Sequence, residues 1–526
     1  MSIRNPFRGP RASRSMTAAC LLALSALAAC DDDVEPGPQV MDAPRDTSTT
    51  SDAGVPNNDA RADVPQATDT ALDAGRSDVA DGGSDGGADG GSDGGSDTAT
   101  PPPADNDMAV VRFNADGTID PTFGTNGIAR VDLGVGAGTT RDSLYSVTRD
   151  ATNRILLFGS KKGDGRSDSD RVVVRLGPNG AIDSTFGTMG VNTLNLGNLG
   201  DNARTGLVQA DGKIVSSGYT NQPTGAGTQT ANKIVLLRLL DTGMPDTSFG
   251  VAGVVNSLPF APNPMTGLYG MVEAYAVGRQ STGAYVTTGY GRVAASGTVD
   301  MVSFRFGPNG AVDSTWGTGG AAVVDLVGEN DRGRNLVVLP DDRVLIAGSG
   351  STSATAIDAL AIMLTAAGAR DTTFGPMGYK VYDFERPDEA FYGAAVAPAG
   401  NWAAAAGYRA GGGMDDDGIL LLAPLTAGGT EIAKAVPMSE TEHDRFWDVT
   451  FDASGKAVAA GFVRAGGDNW MAVARFNADG TFDTTFGTGG VAKVNVAVAG
   501  TDEAARGVVI QSDGKIVIAG NVEALK

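Results

Sequence analysis

MAVARFNADGTFDTTFGTGGVAKVNV (residues 471–496), followed by DEAARGVVIQSDGKIVIAG (502–520), is the stretch whose reading decides the fold. It holds four short apolar or alternating runs separated by Asn/Asp-Gly or Gly-rich turns, the pattern of a four-stranded antiparallel meander. Imperfect copies of this unit fill residues 107–526. The second run of each copy ends in glycine, at Gly159, Gly218, Gly289, Gly348, Gly407, Gly461 and Gly520. The fourth run follows an aromatic-Gly pair, at Phe123-Gly124, Phe186-Gly187, Phe249-Gly250, Trp316-Gly317, Phe374-Gly375 and Phe486-Gly487. Seven endings against six pairs leave one copy degenerate, and GILLLAPLTAGGTEIAKAV (418–436) stands where the lost pair belongs.

The Gly endings recur every 54–71 residues, which suits blades set radially about an axis rather than the short rungs of a β-solenoid. The expected fold is all-β: a seven-bladed β-propeller of four-stranded antiparallel blades over 107–526. Phase adds a sharper expectation. The region opens with third and fourth runs (107–133) and closes with first and second runs (502–520), so pairing of the N-terminal and C-terminal strands completes one blade and leaves no exposed edge.

The unit RFNADGTFDTTFGTGG with its downstream QSDGKIVIAG resembles the delta-60 repeat of bacterial exported proteins. The resemblance implies a β-propeller and brings no catalytic residues with it. Read physically, the motif is turn chemistry. Asp120, Asp183, Asp246, Asp313, Asp371 and Asp483 each precede Thr or Ser by two residues, so each carboxylate is placed to accept backbone N–H groups in an Asx-type turn. The aromatics that follow, Phe123, Phe186, Phe249, Trp316, Phe374 and Phe486, are expected to tuck between neighbouring blades. A structural use of these residues is expected ahead of ligand binding.

The formal net charge of -22 is unevenly spread. Residues 31–106 carry eighteen acids against three Arg and almost no aromatic or branched aliphatic side chain, so they cannot bury enough apolar surface to offset the entropy of ordering. A disordered acidic Asp/Gly/Ser/Thr/Pro-rich linker is expected over 30–106. Its GGSDGG steps lack the second ligand type and fixed turn of a calcium loop. Before it, Arg4, Arg8, Arg11 and Arg14 precede MTAACLLALSALAAC, too short to span a bilayer and ending in small residues, as a secretory signal does. Leu27-Ala28-Ala29-Cys30 resembles the bacterial lipobox. The expectation is a lipoprotein signal peptide over 1–29, lipidation of Cys30, and a membrane partner reached through that anchor alone. Cys20 falls in the removed segment, so no disulfide is expected.

Catalytic constellations are sparse. His443 is the single histidine, which sets aside zinc sites and multi-histidine chemistry. Acids recur at the start of the first run: Asp142, Asp201, Asp331, Asp388, Asp444 and Asp502. Two readings stand for them. They form a ring of hard oxygens around a channel mouth, suited to Ca²⁺, or each caps a strand or pairs with a third-run Arg (Arg112, Arg175, Arg238, Arg305, Arg475). Asp415, Asp416 and Asp417 are the densest loop cluster and a second candidate metal site. No cofactor is otherwise expected, and an acidic body without a basic stripe speaks against nucleic acid.

The variable segments 161–170, 220–232, 256–270 and 409–417 should share one face, where function resides on a rigid scaffold. The expected role is a monomeric, non-enzymatic, lipid-anchored module at the cell envelope that binds or adheres to a protein or glycan. The alternatives are a carboxylate-dependent polysaccharide hydrolase or lyase and an envelope assembly scaffold.

Overall fold

The computed structural model describes residues 105–134, 142–163, 165–197, 199–326, 329–353, 356–412, 415–497 and 503–524. The expected signal peptide, Cys30, linker residues 30–104 and Asp502 lie outside them. All named elements are strands, and no helix occurs among the described residues.

β1 (Asp105–Phe113) pairs with β2 (Ile128–Val131). Complete antiparallel sets of four then follow in chain order. The first is β3 (Asp142–Arg149), β4 (Ile155–Lys162), β5 (Ser169–Leu176) and β6 (Val191–Leu194). The second is β7 (Asp201–Val208), β8 (Ile214–Pro223), β9 (Thr230–Leu239) and β10 (Val254–Ser257), and the third is β11 (Met271–Arg279), β12 (Tyr285–Arg292), β13 (Asp300–Phe306) and β14 (Ala322–Val324). Next come β15 (Asp331–Val338), β16 (Val344–Ser353), β17 (Ala356–Leu364) and β18 (Tyr379–Tyr382), joined by one parallel bridge, Ile357 to Asp388, to β19 (Asp388–Val396), β20 (Trp402–Ala410), β21 (Asp417–Pro424) and β22 (Ile432–Ala435). After β23 (Asp444–Phe451), β24 (Ala457–Ala465), β25 (Asp468–Phe476) and β26 (Val491–Val494), the chain ends in β27 (Glu503–Ile510) and β28 (Ile516–Ala524).

β28 lies antiparallel to β1 in unbroken register from Asp105 opposite Ala524 to Phe113 opposite Ile516, giving a mixed-origin sheet of order β2-β1-β28-β27. Side chains alternate across this sheet. On one face Met108, Val110 and Val517 pack with Leu144, Leu157 and Val172 of the following set. On the other, Ala109, Val111 and Ile518 pack with Val458 and Val473 of the preceding one. The core thus lies between successive sheets, which explains why second and third strands read as nearly continuous apolar runs. First strands touch one another in series from β3 to β7, β11, β15, β19, β23 and β27, and β27 touches β3.

The Gly endings have a specific cause. Each first strand carries a β-bulge, at Tyr145, Arg204-Thr205, Tyr275, Arg334, Tyr392, Trp447 and Arg506. The bulge drives a first-strand carbonyl against the paired glycine. A Cβ on any of the seven would stand 1.8–2.0 Å from that oxygen, for example 1.9 Å from Asn202 O at Gly218 and 2.0 Å from Arg332 O at Gly348.

The aromatic-Gly motif joins one set to the next. As expected, the Asp accepts backbone N–H two residues on, with Thr122 N donating to Asp120 at 3.0 Å and Ser248 N to Asp246 at 3.1 Å. In five copies the third-strand Arg then pairs with this Asp, not with the first-strand acids named above. Arg112–Asp120, Arg238–Asp246 and Arg305–Asp313 stand at 2.8 Å, Arg175–Asp183 at 2.9 Å and Arg475–Asp483 at 2.7 Å. Each guanidinium lies 4.5–4.8 Å over the ring of Phe123, Phe186, Phe249, Trp316 or Phe486. It also donates across the gap to a carbonyl of the next sheet, as Arg238 does to Pro308 O at 2.6 Å. The motif glycine does the same, Gly250 N to Asn309 O at 2.9 Å. The fifth copy departs from this. Asp371 is reached by Arg343 at 3.2 Å, and Lys380 stands over Phe374. The degenerate 418–436 stretch keeps its two strands, β21 and β22, without the Arg, Asp or aromatic.

Candidate functional site

Each recurrent acid among the described residues stands at the start of its own first strand. Asp142, Asp201, Asp331 and Asp444 sit at one register position, two residues before the residue that faces the glycine. They are buried, and each holds the linker that arrives from the preceding sheet. Leu133 N donates to Asp142, Leu196 N to Asp201 at 2.6 Å, Leu326 N to Asp331 at 2.7 Å, and Met438 N to Asp444 at 2.9 Å. In the β19 set this position belongs to Glu389, which accepts Phe384 N at 2.8 Å, while Asp388 stands one residue earlier and takes a 3.4 Å contact from the Tyr408 hydroxyl. In β27 it belongs to Glu503, which accepts Val496 N at 2.7 Å. A slip of one residue exchanges faces, so Asp388 gives way to Glu389 in this set, while Asp502 lies outside the described residues. The signal was present: the acid precedes the facing glycine by seventeen residues in Asp142, Asp201, Asp331, Asp444 and Glu503.

Several of these acids instead gather others of their own neighbourhood. Asp107, Asp132 and Asp142 bring one oxygen each within 4.8 Å of one another, as do Asp300, Asp325 and Asp331, and Asp358, Asp383 and Glu389. These oxygen sets fit a hard divalent cation. Burial, partly offset by backbone N–H groups and reinforced by the neighbouring carboxylates, pushes Asp331 and Glu389 up to about 7. Asp415, Asp416 and Asp417 make no such set. Arg445 pairs with Asp416 at 2.7 Å, and Arg409 pairs with Asp417 at 2.6 Å. His443 accepts Asp416 N through Nδ1 at 3.0 Å.

A cavity of about 360 Å³ opens among the β8–β9 turn, the end of the 256–270 segment and the linkers before β13 and β15. Its long walls follow from β8 and β9, ten residues each, which project beyond their neighbours and carry Asn221 and Asn232 on the lining. Gln229 fixes the rim: its Nε2 donates to Tyr269 O at 2.7 Å and its Oε1 accepts Tyr269 N at 3.0 Å. On the floor, Glu273 of β11 lies opposite Tyr290 of β12 and accepts the Asn232 amide at 2.5 Å. Arg332 of β15 lies 5.5 Å over the Tyr290 ring; its Nε is buried, and its guanidinium has no ion pair or hydrogen bond among the described residues. The Nε of Arg292 is likewise buried without an acceptor, while its terminal nitrogens hold Ala295 O and Gly297 O. Two cations, one carboxylate, amides and a tyrosine thus share one concavity of ligand size. The 256–270 segment was legible as a loop, but β8 and β9 run into 220–232 and leave only 224–229 as the turn; the inward Arg332, Glu273 and Tyr290 were not legible, since strand alternation alone does not mark which segments rise above them.

Residues 104–123, 152–186, 209–249 and 453–486 match the model of a family described as "Domain of unknown function (DUF5122) beta-propeller". This match and the four-stranded antiparallel sheets support a β-propeller repeat fold. No curated protein matches the chain. Among solved structures it is similar to a streptogramin B lyase (11% identity, 79% of this chain and 98% of that one, TM-score 0.37). It is also similar to the β-propeller domain of the trilobed protease from Pyrococcus furiosus (8%, 70% and 87%, 0.37) and to an ulvan lyase (12%, 68% and 83%, 0.35). At these levels the likenesses say nothing of what this chain binds or does.

Proposed function

We propose that the sets of four strands are the seven blades of a closed delta-60 propeller, that the protein is an exported lipoprotein held at the cell envelope through Cys30, and that it is a monomeric binding module. Its ligand is a glycan end group bearing an acidic substituent, taken up in the cavity between the β8–β9 turn and β15. Support for closure comes from the nine-pair β1–β28 register and the β27–β3 contact. The observation that carries the binding reading is Arg332, whose guanidinium lines the cavity with no ion pair or hydrogen bond among the described residues. Tyr290 and the side-chain amide of Asn221 on the lining add aromatic and hydrogen-bonding surface of the kind a sugar ring uses. Glu273 is the one carboxylate on the lining, whereas paired-carboxylate chemistry requires two.

The test is a glycan array probed with the full chain in detergent, followed by titration of the best uronic-acid oligosaccharide. Saturable binding that weakens about tenfold or more in Arg332→Ala supports the reading. Absence of binding, or binding unchanged in Arg332→Ala and in a chain with 256–270 replaced, overturns it. Shaving of whole cells with protease reports the envelope location.

A further inference from the structure

The bulged residues of the first strands do not scatter. They stack in series from one sheet to the next, cation against ring. Arg204 lies 4.0 Å over Tyr145 and 4.6 Å over Tyr275; Arg334 lies 5.5 Å over Tyr275 and 4.8 Å over Tyr392. Tyr392 meets Trp447 edge-on at 4.6 Å, and Arg506 lies 4.3 Å over Trp447. The series begins on β3 and ends on β27, which touch. Because first strands contact one another along the inner edge of the sheets, this belt of three guanidiniums and four aromatics faces the axis of the proposed ring.

Charge in the belt is lopsided at Arg506. Its Nε is buried without an acceptor, it has no carboxylate within ion-pair distance among the described residues, and the adjacent Trp447 Nε1–H is also buried without an acceptor. The carboxylate next in sequence does not serve them: Asp448 accepts Val508 N at 3.0 Å and Val449 N at 2.9 Å. Buried donors without acceptors, one of them cationic, mark a place where an acceptor belongs. Ring stacking supplies attraction to the guanidinium face but leaves its in-plane N–H groups unused.

We propose that the belt seats a small tetrahedral oxyanion of the phosphate or sulfate class, held by Arg506 and the Trp447 indole N–H with the Arg204 and Arg334 charges facing the same axis. The site is separate from the cavity at Arg332 and stands or falls without it.

Isothermal titration of the full chain in detergent with inorganic phosphate and with sulfate, against chloride at equal ionic strength, tests this. Saturable heat with at least one of the two anions is expected. Arg506→Gln weakens it about tenfold or more, as loss of a charged fork does. Trp447→Phe keeps the ring under Arg506 while deleting the N–H, and weakens it severalfold with the melting temperature little changed. If Arg506→Gln does not fold, Trp447→Phe decides alone. No saturable heat with either anion, or equal heat in the parent and the folded variants, overturns the proposal.

Discussion

Gly487 N donates to Asp116 O at 2.8 Å, so the last aromatic-Gly motif of the chain clasps the first turn of its opposite end. Arg475 repeats the link through Ala115 O at 2.7 Å. The junction formed by the two termini is therefore clamped in the same way as the junctions within the chain.

Removing residues 503–526 strips β27 and β28 from a sheet with core on both faces. Ile516, Val517, Ile518, Val508 and Val522 are buried, and at about 1.5–3 kcal/mol each their loss is comparable to the whole stability of a domain. No cooperative thermal transition is expected by near-UV circular dichroism. Deleting residues 31–100, poor in apolar side chains, leaves the melting temperature unchanged. Equal small effects would show that the termini do not share a sheet.

Arg238→Met leaves the Asp246 carboxylate buried with Lys213 as its remaining cation and removes the side-chain donor to Pro308 O, while Tyr285 keeps Gln209 as a donor. A loss of about 3 kcal/mol is expected, and Asp246→Asn in the same chain recovers part of it by removing the buried charge. Urea unfolding of the parent, both single variants and the double variant gives the coupling directly.

Gly348→Ala sets a methyl 2.0 Å from Arg332 O, on backbone that cannot retreat without losing the bulge. It should cost about 3 kcal/mol or more. Gly200→Ala, whose nearest neighbour is a side-chain oxygen at 3.7 Å, should be neutral within about 0.5 kcal/mol. The pair of denaturation midpoints separates close approach from general sensitivity to added bulk.

Stability should peak on the acid side of neutrality. Burial above all raises Asp331, Glu389 and Asp444 to about 7, so the fold favours their neutral forms. The unfolded chain titrates them near about 4, and their contribution is therefore full below about 4 and lost as pH rises through about 7. Asp483 works in the opposite sense: the Lys456 ammonium first, then Thr485 and Arg475, against burial, hold it well below the usual carboxylate range. Its contribution is lost as pH falls below about 4. Urea midpoints from acid to alkaline pH should form a dome, and Asp331→Asn should gain about 1–3 kcal/mol over the parent at alkaline pH. A flat profile above neutrality would contradict these assignments.

The sequence showed the period, the phase and the turn role of Asp120 and its counterparts because those are local: a carboxylate and an N–H two residues apart need no knowledge of the rest. What escaped it depended on partners one sheet away. For Arg112 and its counterparts the sequence left a pairing with the first-strand acids open, whereas the structure pairs each with the Asp eight residues on. Glu503 keeps the seventeen-residue distance to its glycine that Asp142, Asp201, Asp331 and Asp444 share, whereas Glu389 stands eighteen before Gly407 and only the β19–β20 register identifies it. The bulges that put Tyr145, Trp447 and Arg506 in one belt leave no local mark beyond a glycine on the opposite strand.

Because β1 takes its partner from β28, biosynthesis and architecture run out of step. The first strand pair to emerge carries an open edge until the final residues arrive, whatever has folded in between. Such an edge is a template for mispairing. If the protein is exported as proposed, the same delay postpones completion of the β2-β1-β28-β27 sheet until β28 has crossed the membrane.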